Sequence, residues 1–158
     1  MRIRKMLPED KNSVMKILRD TGMFSYAEIS VAEELIDIFI SGKPQNDYII
    51  YIAEDENSSE IYGYVCYGPT PATEGTFDLY WIAVSPEKQG KGIGATLLKF
   101  VEDKVKSAGG RLLIIETSSR EKYRPTQNFY LKNAYIIEAR IKDFYSIGDD
   151  RLIFTKRF

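Results

Sequence analysis

The stretch Thr76-Phe77-Asp78-Leu79-Tyr80-Trp81-Ile82-Ala83-Val84-Ser85-Pro86-Glu87-Lys88-Gln89-Gly90-Lys91-Gly92-Ile93-Gly94-Ala95 decides the fold. Thr76 to Val84 is rich in β-branched and aromatic residues, the composition of a strand. Pro86 breaks it, and glycine then occupies positions 90, 92 and 94. From Lys91 to Ser107 the apolar residues Ile93, Leu97, Phe100, Val101 and Val105 recur at helical spacing. Gly109-Gly110 ends that helix, and Arg111 to Thr117 follows as an apolar strand suited to burial on both faces. A strand-loop-helix-strand passage of this kind is a parallel crossover. Its glycines leave several backbone N–H groups unshielded at a helix N-terminus, where the dipole adds partial positive charge. That arrangement suits a pyrophosphate, with Lys88 and Lys91 adding charge at the rim.

Outward from this unit, Arg2 to Leu7 reads as a short strand ended by Pro8. Asp10 can cap a helix bearing Val14, Ile17 and Leu18, which Gly22 stops. Phe24 to Ile29 reads as a connection. Ser30-Val31-Ala32-Glu33 has the capping-box pattern for a second helix ending near Gly42. The period then changes from about four to about two, which predicts strands over Tyr48 to Glu54 and Ile61 to Tyr67. On the far side, Pro125 opens a helix running to about Asn133, and Tyr135 to Tyr145 and Arg151 to Lys156 form a hairpin. The order β-α-α-β-β-β-α-β-α-β-β predicts an α/β domain with a mixed sheet. With neither repeats nor a long linker, residues 1–158 read as one domain.

Composition narrows the chemistry. The 158 residues contain no histidine and one cysteine, so Ser-His-Asp and Cys-His nucleophiles, His-containing zinc sites and thiolate clusters are excluded. No metal site is expected. Proton transfer falls to Asp, Glu, Tyr, Lys, Cys or water. Cys66, within an apolar strand, reads as structural because nothing is present to activate it. Lys plus Arg (22) nearly balances Asp plus Glu (23), so no global field favours nucleic acid or an anionic membrane, and neither is an expected partner. The N-terminus lacks a secretory pattern and no apolar run could span a bilayer, which predicts a soluble cytoplasmic protein.

For the phosphate ligand, a P-loop is excluded because no Gly-Lys-Ser/Thr occurs at the required spacing. Gly90-Lys91-Gly92-Ile93-Gly94-Ala95 formally fits the dinucleotide pattern, which keeps an NAD-binding Rossmann enzyme as a competitor. The long loop after Val84, the structure preceding it and the absence of a second βαβ half count against it. Gln89-Gly90-Lys91-Gly92-Ile93-Gly94, after a strand ending Trp81-Ile82-Ala83-Val84, resembles the Gln/Arg-x-x-Gly-x-Gly/Ala signature of the GNAT acetyltransferases. Asn128-Phe129-Tyr130-Leu131-Lys132-Asn133-Ala134-Tyr135 and the order of elements extend the resemblance over essentially the whole chain.

The resemblance implies a mostly antiparallel sheet of six to seven strands with a splayed parallel pair, flanked by about four helices. It implies an N-acetyltransferase that moves an acetyl group from acetyl-CoA to a primary amine by direct attack in a ternary complex. Ala83 and Val84 would contact the pantetheine arm, and a backbone N–H near Ile82 would polarise the acetyl carbonyl. The main chain of Gln89, Gly90, Lys91, Gly92, Ile93, Gly94 and Ala95 would hold the pyrophosphate. Tyr130 matches the family's general acid, with core packing as its alternative role. Asp78, a charge in an apolar strand, is the favoured base, and Glu116 the alternative. Two departures stand out. Ala134-Tyr135 replaces the usual Gly-Phe/Tyr, which moves the expected left-handed helix cap to Asn133. The polar residue facing the cofactor has only candidates, Tyr123, Thr126 and Asn128.

In this fold the acceptor pocket would draw on Gly22 to Ile29, offering Phe24, Tyr26 and Glu28, and on Phe144 to Asp150, offering Tyr145 and Asp149. Aromatic and acidic groups suit a small cationic amine or an amino acid. The alternatives are a peptide or protein amine, or a module that binds acyl-CoA without turnover. Family habit suggests a homodimer.

Overall fold

The computed structural model describes residues 1–158. The elements are β1 (Arg2–Lys5), α1 (Lys11–Asp20), α2 (Tyr26–Ile40), β2 (Ile49–Glu54), β3 (Ile61–Pro69), β4 (Thr76–Val84), α3 (Ile93–Ser107), β5 (Leu112–Ser118), α4 (Arg124–Lys132), β6 (Ile136–Ser146) and β7 (Asp149–Arg157). This is the expected order, with β4 bounded as expected and other boundaries displaced by up to five residues. All seven strands join one sheet in the order β1-β2-β3-β4-β5-β7-β6. Only β4 and β5 run parallel. An otherwise antiparallel sheet is not the doubly wound sheet of a Rossmann enzyme. No helix is long and apolar enough to cross a membrane.

Each face of the sheet carries a core. On one, Leu97, Leu98, Val101 and Val105 of α3 pack on Val65, Leu79, Leu113, Ile115 and Phe154, with Tyr130 of α4. On the other, Val14, Ile17 and Leu18 of α1 and Ala32 and Ile36 of α2 cover Ile50, Ile52, Tyr64, Cys66 and Ala83. β4 contributes to both, so it is clamped from two sides while its edge towards β5 is free to diverge.

Two local readings need correction. The capping box of α2 lies not at Ser30–Glu33 but five residues earlier. The Ser25 hydroxyl accepts from the Glu28 N–H at 3.2 Å, and the Glu28 carboxylate accepts from the Ser25 N–H at 2.6 Å. Both patterns obey the same rule; the earlier one wins because it gives the helix four more residues before Ser30. Asp10 does not cap α1. Its carboxylate turns back to accept from the Leu7 N–H at 2.7 Å and from Arg4 at 2.7 and 3.0 Å.

Arg4 also donates to Glu54 at 2.7 Å, and Arg2 donates to the other oxygen of Glu54 at 2.9 Å. Glu54 is wholly buried, so β1 is fastened to β2 by one carboxylate between two guanidinium groups. Hydrogen bonds from Arg4 and Arg2 hold the Glu54 carboxyl below its ordinary value. A depressed carboxylate contributes stability that is present above its unfolded pKa, about 4.3, and lost as pH falls through the folded value. Glu54→Gln should therefore cost about 2 kcal/mol at pH 7, less than a fully buried pair because Arg2 is open to solvent. The difference from wild type should shrink as pH falls below about 4. Urea unfolding of both proteins at pH 7 and pH 3.5 checks this.

Candidate active site

β4 and β5 pair only from Thr76 with Leu112 to Leu79 with Ile115. Beyond Leu79 the two strands separate. The cause is visible on the opposite edge of β4, where Trp81 faces Cys66 but Leu79 faces Tyr67, leaving Tyr80 as an extra residue. This bulge turns Tyr80 to Val84 away, while β5 keeps its pairing with β7 as far as Ser118 and Arg151. Gly63 makes the turn sterically feasible, because a Cβ there would lie 2.6 Å from the Ala83 carbonyl oxygen. The result is a cleft of about 1010 Å³ whose walls include Leu79 to Val84, Ile114, Glu116 to Ser118 and Tyr130. Along it the main chain of β4 has lost its neighbour, so its polar groups face the opening.

At the mouth of the cleft the glycine loop enters α3. Gly92 is the N-cap with φ of 80°, a left-handed conformation that favours glycine. No side chain caps this end. The first helical bond runs from the Thr96 N–H to the Gly92 carbonyl, which leaves the N–H groups of Ile93, Gly94 and Ala95 as open donors. The Gln89 side chain donates to the Val84 carbonyl at 3.1 Å and ties the loop to the end of β4. The two lysines expected at the rim each have a partner within the protein. Lys88 pairs with Glu60 at 2.9 Å and lies over the Tyr62 ring, and Lys91 donates to the Glu87 carbonyl at 3.2 Å. The open donors at this end of the helix are main-chain N–H groups.

Tyr130 is 4% exposed, with its ring between Phe129, Tyr135 and Phe154. Burial alone pushes its phenol well above the ordinary value, so it stays protonated and able to donate. Core packing and a place on the cleft wall prove compatible. Asp78 accepts from the Thr70 hydroxyl at 2.6 Å. Glu116 is ion-paired with Arg151, whose own pKa is lowered by burial and raised by the charge of Asp78. Both carboxylates and the guanidinium line the same cleft.

On the acceptor side, Phe24, Glu28, Tyr145 and Asp149 line the cleft as expected. Tyr26 does not: it is 93% exposed on the first turn of α2, a consequence of the earlier helix start. Asp149 is already engaged, pairing with Arg120 at 3.1 Å and accepting from the Ser118 hydroxyl. Asp150 holds the hairpin, accepting from the Asp143 N–H at 2.9 Å and pairing with Arg140. The Tyr123 hydroxyl donates to the Met23 carbonyl at 2.9 Å, joining α4's approach to the α1–α2 loop. Of the cofactor-side candidates, Thr126 lines this cleft, whereas Asn128 opens onto a separate pocket.

The family model for an acetyltransferase (GNAT) domain matches residues 46–137, more than half of the chain. The chain belongs to the GNAT acetyltransferase family. A crystal structure from Desulfovibrio desulfuricans, of a protein assigned to the same family, is 43% identical over 99% of this chain and 98% of that one, with a TM-score of 0.93. An aminoglycoside 6'-N-acetyltransferase complexed with coenzyme A shares the fold at 19% identity and TM-score 0.77, over 99% of this chain and 97% of that one. The PaiA N-acetyltransferase of Thermoplasma acidophilum, also with coenzyme A, does so at 22% and 0.76, over 99% and 98%. No curated protein matches the chain in sequence.

Sequence reasoning missed Arg151, Trp81, Arg120 and Ser118 as cleft residues. Arg151 and Ser118 had no signal of their own, since only the sheet register places them opposite one another. Trp81 did have one, as the chain's only tryptophan, beside the bulge. The expected cap at Asn133 also moves by one: Asn133 has φ of −93°, and Ala134 takes the left-handed position at 65°. An L-residue there is strained, so Ala134→Gly should raise stability by about 0.5–1 kcal/mol. It should also steady the end of the helix that carries Tyr130. A Tm unchanged or lowered in calorimetry would contradict this.

Proposed function

We propose that this protein is an N-acetyltransferase using acetyl-CoA, with a small cationic amine or an amino acid as acceptor. The observation that carries the reading is the separation of β4 from β5 after Leu79, next to a helix N-terminus with open N–H donors. An extended, amide-bearing arm fits such a wedge, where Ala83 and Val84 can pair with it as a missing strand would. The donors of Gln89 to Ala95 then meet its pyrophosphate. In this reading the Ile82 N–H, on the cleft wall, stabilises the oxyanion formed when the amine attacks the thioester carbonyl. As the C–S bond breaks, Tyr130 supplies a proton to the departing thiolate, and Asp78 accepts the proton lost by the amine, directly or through water. Asp78 is preferred to Glu116 because Arg151 holds the latter in an ion pair.

The electrostatics support a cationic acceptor. Tyr123 is raised by burial and then by Glu28 and Asp149, and Tyr145 by burial and then by Asp149 and Glu28. Tyr80 is pushed up to about 12 by burial and then by Asp78. Burial is the first cause in all three, and the carboxylates named next, Glu28, Asp78 and Asp149, are the groups a cationic acceptor would meet. The reading includes one catalytic domain over residues 1–158, supported by the single sheet, and a homodimer. Supporting the dimer, β6 is a sheet-edge strand exposed along its whole length, with Ile136, Ile137 and Ile141 each more than 40% exposed. Sedimentation at a mass of one chain would rule the dimer out.

Acetyl-CoA at about 100 times its Kd should stabilise the fold by about 2.7 kcal/mol, with a rise in Tm of roughly 5–11 °C, while NADH should give none. Tyr130→Phe should lower kcat about 10²-fold or more while the KM for acetyl-CoA changes little. Stabilisation by NADH alone, or a Tyr130→Phe protein with full turnover, would overturn the respective parts of the proposal.

A further inference from the structure

Two buried side-chain nitrogens have no hydrogen-bond partner within the protein, Nε1 of Trp81 and Nε of Arg151. Both are donors, and both residues line the cleft. They also share one face of the sheet. Trp81 packs against the core formed with α1 and α2. Leu152 and Phe154 belong to the other core, so alternation along β7 turns Arg151 to the side of Trp81. The same alternation brings Asp78, next to Leu79, and Glu116, next to Ile115, to that side. Arg151 is the under-used cation of this wall. One of its terminal nitrogens pairs with Glu116, and its guanidinium carbon lies 4.6 Å from the centroid of the Phe144 ring. A guanidinium has five N–H donors in a planar fork, so this pairing leaves an edge over. The other cations of the cleft are placed differently. Arg120 is committed to Asp149 at 3.1 Å and Ser146 at 2.9 Å, and Lys122 is exposed ahead of α4.

We propose that Arg151 is the specificity residue for the acceptor and binds a carboxylate on it, with Trp81 as a second donor, so that the acceptor is an α-amino acid acetylated on its α-amino group. The proposal rests on the acetyltransferase reading and narrows its acceptor to one chemical class. A protonated amine or polyamine brings only N–H donors and would leave both unpaired nitrogens unmet. A carboxylate supplies the acceptor oxygens they lack, and Arg151 offers it the stronger, charge-assisted bond. Glu116 steadies the guanidinium, and the Phe144 ring shields it from bulk water, which strengthens its attraction for an anion. The α position follows from the neighbourhood of Arg151 and Asp78. After burial, the charge of Asp78 is the influence that acts on the Arg151 guanidinium. An α-amino acid holds its nitrogen and its carboxylate one carbon apart. A carboxylate on Arg151 therefore sets the amine beside Asp78, the group assigned as base. An amine at the far end of a long side chain does not meet both.

The test offers each common amino acid and its α-carboxamide as acceptors, with acetyl-CoA as donor, to wild type, Arg151→Gln and Glu116→Gln. In wild type, kcat/KM for the best amino acid should exceed that for its carboxamide by about 10–100-fold. Arg151→Gln should bring the two within about threefold by raising the KM of the acid, while the KM for acetyl-CoA stays unchanged. Glu116→Gln should lower the KM of the acid, because the guanidinium loses its competing carboxylate. A purely structural ion pair would instead make both variants weaker for acid and carboxamide alike, and that result overturns the proposal. Wild type alone also decides it: a carboxamide used as well as its acid refutes the proposal whatever the variants do. Acetylation of polyamines but of no amino acid refutes it too, while leaving the acetyltransferase reading intact. Should no amine be acetylated, thermal unfolding of wild type with the same pairs decides. A rise in Tm with an acid and none with its carboxamide still supports Arg151 as a carboxylate site, and equal shifts or none refute it.

Discussion

Four residue pairs of parallel sheet, and no fifth, are the constraint from which the rest of this structure follows. Had β4 continued beside β5 past Leu79, its N–H and C=O groups would be paired and the sheet would have no opening. The extra residue Tyr80 ends the pairing on one side, and Gly63 lets β3 follow the turn on the other. Unpaired main-chain groups near a core cost free energy, about 1–3 kcal/mol each when water is excluded. The fold can sustain that because β4 is anchored in two cores, through Leu79 on one face and Ala83 on the other. The divergence is thus held by packing at both ends of the bulge rather than by any contact within the cleft.

The groups around the opening divide by where they meet it. On the side of α3 and α4 the chemistry is main-chain N–H, one helix dipole and a protonated phenol. On the side of α2 and the β6–β7 hairpin it is carboxylates and tyrosines, much of it cross-linked. Ser118, Arg120 and Asp149 join β5 to the hairpin, Tyr123 joins the α4 approach to the α1–α2 loop, and Arg151 bridges towards Asp78 and Glu116. Three loops distant in sequence are made into one rim. Carboxylates and basic side chains are interleaved there, and each of Glu28, Asp78, Glu116 and Asp149 has a partner within the protein.

Element order, the parallel crossover and the glycine loop were legible because they rest on local signals: residue period, β-branched content and glycine spacing. That Tyr130 and Asp78 lie on the cleft wall was legible for the same reason, one by its place on a short helix and one as a charge in an apolar strand. What sequence could not supply was register. Whether Arg151 faces Glu116 or solvent depends on which residue of β7 lies opposite Ser118, and no local pattern fixes that. The start of α2 was misplaced because Ser25–Glu28 and Ser30–Glu33 satisfy the same capping rule, and the choice between them depends on which one packs. The left-handed turn at Ala134 had no residue signal at all, since alanine is a poor occupant and tertiary fit overrode the preference.

Cys66 lies in β3 at 1% exposure, and burial pushes its thiol to about 12. It is the only sulfhydryl in the chain. Folded protein therefore presents no thiolate to a disulfide colour reagent in neutral solution. Any sulfhydryl that such a reagent detects in a mixture with the folded protein comes from another component, so a thiol released by the proposed reaction could be followed continuously against an essentially silent background.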